Sequence, residues 1–377
     1  MTQATPPPVS FTCSRHLIPW LYEQHLSFVF TTYQTNRLFL VGLKPNGDLS
    51  IFERLFDRPM GLYATSQRLY LSCRYQVWQF ENTLAEGEAS DGGYDRCFVP
   101  QMSYVTGDLD IHDIALTYSE RPIFVNSRYS CLGTLSSRCS FIPVWQPPFI
   151  SKLAPEDRCH LNGLALQDGR PTYVSAVSNT DIIAGWRQHR HDGGCVIEVA
   201  SNEIVLTGLS MPHSPRWYRD RLWLLNSGTG EFGYFDPARQ AFEPVAFCPG
   251  YLRGLAFYEH WAIVGLSKPR HEATFSGLAL DDQLQQRNIS AICGLMVINL
   301  NTGNIDHWLQ IDGVIVELYD IQLLPQVRRP TALGFRSDEI CHHITFVQPQ
   351  PLRSPPVSAP PQETVAKHSH SDPESLP

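Results

Sequence analysis

His112 and His213 stand at the same position of a short phrase that returns along the chain, and the residues sharing that position carry much of the chemistry this sequence can offer. The phrase reads RPMGLYA at Arg58–Ala64, DIHDIAL at Asp110–Leu116, HLNGLAL at His160–Leu166, MPHSPRW at Met211–Trp217, YLRGLAF at Tyr251–Phe257 and ELYDIQL at Glu317–Leu323. Its third position holds Met60, His112, Asn162, His213, Arg253 and Tyr319, spaced by 52, 50, 51, 40 and 66 residues. Two positions earlier stand Arg58, Asp110, His160, Met211, Tyr251 and Glu317, which would face the same way in an extended strand. If these positions converge, His112, His160, His213 and Asn162 make a ligand set for a divalent transition metal. Imidazoles suit zinc, iron or copper, while Asn162 and Glu317 offer harder oxygen atoms. Asp113 and Asp320, next in the phrase, would orient ligand histidines from behind. Arg253 and Arg58 bring positive charge suited to a carboxylate or phosphate. Tyr251, Tyr319 and Trp217 offer an aromatic wall with polar groups.

The elements that must position these residues are short strands. RLYLSC (Arg68–Cys73), RPIFVNS (Arg121–Ser127), PTYVSAV (Pro171–Val177), RLWLLNS (Arg221–Ser227) and HWAIVGL (His260–Leu266) are β-branched and aromatic runs bounded by polar turns. Val77–Glu81, Gly194–Val199, Glu231–Asp236 and Gly294–Asn299 are expected to end their blades, and an Asn-Gly pair in Leu43–Phe52 signals a hairpin. A phrase and strand recurring together at roughly 40–50 residues is the period of a propeller blade, whereas a sandwich would not keep the pairing. The reading is an all-β chain forming a single, six-bladed β-propeller over residues 13–347. Residues 1–12 are expected to be a flexible N-terminus and 348–377, rich in Pro and Ser, a disordered tail. Phe28–Gly42 would share a blade with the C-terminal strands. Lys268–Asn288 reads as a long insertion, with room there or around Phe28–Val41 for a degenerate seventh blade.

Composition narrows the function classes. At 377 residues and 43% hydrophobic the chain can bury a large core. A net charge of -8 argues against a nucleic-acid partner, and no run is long and apolar enough for a membrane span or a signal peptide. Ten cysteines without a CxxC pair read as reduced thiols, which points to the cytoplasm. GxSxG, HExxH, dinucleotide and P-loop patterns are all missing, although NSGTGE (Asn226–Glu231) looks superficially like the last. The polar strand ends Ser72–Arg74, Asn126–Arg128, Ser178-Asn179 and Asn226–Glu231 read as hydrogen-bonding turns of the blades.

HLNGLAL, MPHSPRW with RLWLLNSGTGEFGYFD, and YLRGLAF with GLSKPR resemble a bacterial family of conserved propeller-like proteins over roughly Cys13 to Val347. Some members of that family are labelled tetratricopeptide-like, but this chain has no such helical repeat. A weaker resemblance is to the six-bladed gluconolactonase, regucalcin and strictosidine synthase group, whose blades open with NGL and PDG phrases. That resemblance implies an axial divalent ion, with the asparagine of NGL at Asn162 and the aspartate of PDG at His213. Imidazole in place of oxygen shifts the implied metal from calcium-like ions toward zinc, iron or copper.

The resulting expectation is a metal-dependent enzyme. His112, His160 and His213 would hold the ion, Asn162 or Glu317 would adjust its shell, and Glu317 or Asp110 would accept the proton in hydrolysis of an ester, lactone or amide. Arg253 would anchor a small, carboxylate-bearing molecule, and Tyr319 would help orient it. Two alternatives stay open: an iron- or copper-dependent oxidoreductase or hydroxylase on the same ligands, and a non-catalytic propeller binding a small molecule or peptide.

Overall fold

The computed structural model describes residues 8–90, 92–269 and 276–346. Their strands group into six sheets, each a blade of a closed ring. Blade 1 joins the chain ends: Ile321–Pro325 is innermost, followed outward by Leu26–Thr32, Arg37–Leu43 and Leu49–Leu55. Phe28 lies opposite Leu323, so the N-terminal run shares its blade with a C-terminal strand as expected. The innermost strands of blades 2 to 6 are Leu62–Ala64, Ile111–Leu116, Leu161–Gln167, Pro212–Tyr218 and Tyr251–Tyr258. Each follows directly on the first residues of its phrase or contains the phrase.

Several expectations about boundaries need correction. The four strands expected to end their blades are third strands, and each has a fourth outside it: Arg96–Val105, Ile204–Leu209, Ala241–Phe247 and Ile305–Asp312. These fourth strands sit half-exposed at the circumference, so they lack the continuous apolar run that betrays an inner strand. Ser10–Cys13 pairs antiparallel with Ile305–Asp312 as a fifth strand of blade 6, so the boundary expected at Cys13 falls inside a strand. Pro330–Ala332 runs parallel to Arg96–Val105 at the rim of blade 2. The insertion in blade 6 carries a helix, Ala279–Gln286, and no seventh sheet is present among the described residues. The tail expected from residue 348 lies outside the described residues.

Two belts of hydrogen bonds stitch the blades together near the axis. In the first, a serine near the end of a second strand donates to a carbonyl of the next innermost strand or its entry: Ser72 to Ile111, Ser127 to Leu161, Ser227 to Leu252 and Ser267 to Leu318. In the second, odd blades carry an oxygen side chain and even blades a glycine. Asp320 accepts from the Leu62 N–H at 2.8 Å, Asp113 from Leu164 at 3.0 Å and Ser214 from Gly254 at 3.1 Å. The matching glycines leave room for this: a Cβ at Gly163 would sit 2.2 Å from Pro215, and one at Gly61 3.1 Å from the Asp113 backbone. Fully buried phenylalanines, among them Phe28, Phe80, Phe124 and Phe232, fill the space further out.

Candidate functional site

The starts of the innermost strands place His112, Asn162, His213, Arg253 and Tyr319 together around one mouth of the ring, all at least nine-tenths buried. His112 and His160 meet edge to face with ring centroids 4.7 Å apart, and His112 lies 5.6 Å from Tyr319. The Arg253 guanidinium lies over Tyr319 at 4.7 Å and Tyr251 at 5.4 Å, with Tyr33 at 6.0 Å. His213 stands edge-on to Tyr251 at 5.5 Å. The expected convergence of residues from five blades is therefore present for the imidazoles, the guanidinium and the phenol.

The second ring is built differently from the sequence expectation. Arg58, Asp110, His160 and Met211 all have positive φ, between 49° and 56°, so the backbone turns through the left-handed region before entering the innermost strand. Such a conformation is strained for residues with a Cβ and recurs at functional sites. It sends Arg58 sideways onto Asp108 at 2.8 Å and Asp110 at 3.0 Å. It also gives His160 partners of its own: its Nδ1 lies 3.0 Å from Asp157 Oδ1, and its ring stacks on Trp186 at 4.2 Å. The Trp186 indole N–H donates to Asp157 at 2.8 Å.

All three imidazoles are tied at Nδ1. His112 Nδ1 lies 2.9 Å from the Asp110 carbonyl and 2.7 Å from Ser127 Oγ. His213 Nδ1 lies 2.8 Å from the Met211 carbonyl and 3.3 Å from Ser227 Oγ. Burial pushes His112 down to about 4, with His160 and Arg253 adding to the effect and Asp110 opposing it. Burial, then the Arg253 charge, drives His213 well below the usual imidazole range. Burial pushes Asp157 up, but His160 and the Trp186 N–H more than offset it, leaving this carboxyl below its ordinary value. Arg253 stays charged despite burial because Tyr319, Tyr251 and Glu317 favour the cation. At this mouth His213 Nε2, Asn162 Nδ2 and Tyr319 Oη are among the buried polar atoms without a partner among the described residues. Such atoms are costly unless something satisfies them.

The side chains as placed do not supply a ready ligand shell for zinc, iron or copper. Among the described residues, no group of three His, Cys, Asp or Glu side chains is disposed to hold one ion. Asn162, the fourth expected ligand, has its Oδ1 engaged by the Ser175 hydroxyl at 2.8 Å. Asp113 and Asp320 do not back the histidines either. Both cross the channel to Arg216, which holds Asp113 through two hydrogen bonds at 2.6 and 3.1 Å and lies 4.0 Å from Asp320. Burial and the neighbouring Asp113 push Asp320 up to about 8. Trp217 belongs to the opposite mouth, where with Arg216, Tyr218 and Phe257 it lines a cavity of about 500 Å³. Glu317 is buried within the field of Arg253, and Asp110 approaches His112 while paired with Arg58.

Sequence reasoning missed Asp157, Trp186 and Tyr33, and placed Ser127 and Ser227 in hydrogen-bonding turns without linking them to the histidines. Asp157 carried a signal, standing three residues before a histidine of the second ring. The two serines were visible only as repeated strand ends.

A family model described as a domain of unknown function, DUF4915, matches residues 15–333. The chain belongs to this family. The match spans the long runs that suggested a bacterial family, whereas the likeness to the gluconolactonase group rests on the phrases alone. No curated protein matches the chain. Among solved structures, the nidogen/laminin complex is similar at 11% identity and a TM-score of 0.48, over 80% of this chain and 99% of that one. A protein of unknown function from Bacteroides caccae is similar at 10% and 0.47, over 81% and 99%. Virginiamycin B lyase from Staphylococcus aureus is similar at 12% and 0.38, over 75% of each chain. These structural likenesses are too distant to carry a reaction or a substrate across. No described helix is long and apolar enough to cross a membrane.

Proposed function

We propose that the histidine mouth is an acid–base site acting on a small carboxylate-bearing substrate, with hydrolysis of an ester, lactone or amide as the reaction. The observation that supports it is the set of three imidazoles, each held at Nδ1, beside one buried guanidinium. His160 is the general base: Asp157 fixes its Nδ1 and stabilises the imidazolium that forms. Its Nε2 takes a proton from water as the water oxygen bonds to the acyl carbon. The same proton then passes to the leaving oxygen or nitrogen as its bond to that carbon breaks. Arg253 anchors the substrate carboxylate, and the unpartnered Asn162 amide and Tyr319 hydroxyl supply donors for the developing oxyanion.

The test is a thermal-shift screen of small carboxylates, followed by NMR assay of the corresponding esters, lactones and amides. Wild-type protein should be stabilised by a carboxylate and should turn over a derivative of it. Arg253→Gln should weaken binding roughly 10- to 100-fold, and His160→Asn should keep binding but lose turnover. Turnover that survives in His160→Asn would sink the assignment of the base. Binding without any turnover would leave the mouth a recognition site.

A further inference from the structure

We infer that Ser127 and Ser227 are positioning residues: each sets the tautomer and ring direction of its blade's axial histidine, His112 or His213, and leaves Nε2 as the atom that accepts protons. The inference rests on the acid–base reading of the mouth but is measured separately from it. A serine hydroxyl has one proton. That of Ser127 goes to the Leu161 carbonyl and that of Ser227 to the Leu252 carbonyl at 2.7 Å. Each Oγ can then only accept from the imidazole nitrogen beside it, 2.7 Å away for His112 and 3.3 Å for His213. The second neighbour of each nitrogen is a backbone carbonyl, Asp110 or Met211, which also only accepts. Nδ1 must therefore carry the proton in both rings, and Nε2 keeps its lone pair. His213 Nε2 is buried without a partner among the described residues, as a base or acceptor awaiting a ligand would be.

The two serines also belong to the belt that joins neighbouring blades, so the direction of each ring is referred to the next blade and not only to its own loop. Blades 2 and 6 carry the same serine, Ser72 and Ser267, beside positions occupied by Met60 and Arg253. The belt bond therefore exists without an imidazole, and the histidines of blades 3 and 5 dock onto a device the fold already has. This gives a control: Ser72→Ala removes a belt bond and no imidazole contact.

The experiment is imidazole ¹⁵N NMR on full-length protein near neutral pH. His112 and His213 should each show a pyrrole-like Nδ1 and a pyridine-like Nε2. Ser127→Ala should move the His112 nitrogens toward tautomer averaging and spare His213, Ser227→Ala should do the converse, and Ser127→Thr should restore the pattern. Ser72→Ala should move neither. A protonated Nε2 in either ring overturns the inference, as does an equal response of His112 to Ser72→Ala and Ser127→Ala. With an active substrate in hand, Ser127→Ala should lower kcat with KM nearly unchanged. If the tautomers are as assigned and no hydrolysis is found, the acid–base reading fails and the positioning stands.

Discussion

At the scale of single residues, the histidine mouth is a place where burial overrides intrinsic acidity. Burial pushes His112 down to about 4, so it should be neutral throughout the physiological range and its proton signals should not shift between pH 6 and 8. The sign of its effect on stability follows. Between pH 6.5 and 4 the unfolded chain takes up a proton that the folded chain refuses, so stability falls as pH falls through that window, by on the order of 3 kcal/mol. Urea midpoints across that range should show the slope, to which His213 adds with the same sign, and His112→Gln should reduce it. The Asp157–His160 pair makes a second prediction: Asp157→Asn should leave the circular dichroism spectrum unchanged while lowering turnover about 100-fold or more. A preserved rate would separate the pair from catalysis. Because no three His, Cys, Asp or Glu side chains among the described residues are disposed to hold one ion, dialysis against a chelator should leave turnover intact. A loss restored by zinc, iron or copper would return the site to a metal-centred mechanism.

At the scale of elements, the alternation of oxygen side chains and glycines around the axis ties blades together in pairs. The Asp113–Arg216–Asp320 cluster extends this by linking blades 3, 5 and 1 across the channel. It packs two buried carboxylates against one guanidinium, which explains why Asp320 holds its proton up to about pH 8. A carboxyl raised this far favours the folded state in its protonated form, so its contribution is lost as pH rises toward 8. This opposes the histidine effect below pH 6.5 and acts alone above it. Thermal midpoints should therefore fall from pH 6.5 to 9, and Asp320→Asn should reduce that fall. A midpoint in wild type that is flat over this range would mean that Asp320 is ionised at neutral pH.

At the scale of the whole molecule, closure depends on one strand from the far end of the chain. Ile321–Pro325 completes blade 1 by pairing with Leu26–Thr32. Phe28, fully buried opposite Leu323, is the side chain to test: Phe28→Ala should cost about 3–5 kcal/mol, measured as a shift in urea midpoint. The sequence by itself determined the all-β propeller, six blades, the shared first blade and the column of residues that meets at the axis. These are legible because a blade is a local unit: its phrase, strand and turn lie within about 50 residues and repeat, so periodicity reports them. The half-exposed outer strands lay beyond that signal, since nothing in their pattern separates them from loops. The tertiary structure alone decided what each axial residue touches. The left-handed backbone at Asp110 and His160 turned a second ring of side chains into individual partnerships. The ring brought Ser127 to Leu161 and Asp113 to Arg216, contacts between different blades that no single repeat contains. Partners of that kind depend on the angle at which one blade meets the next, and only the packing of complete sheets sets that angle.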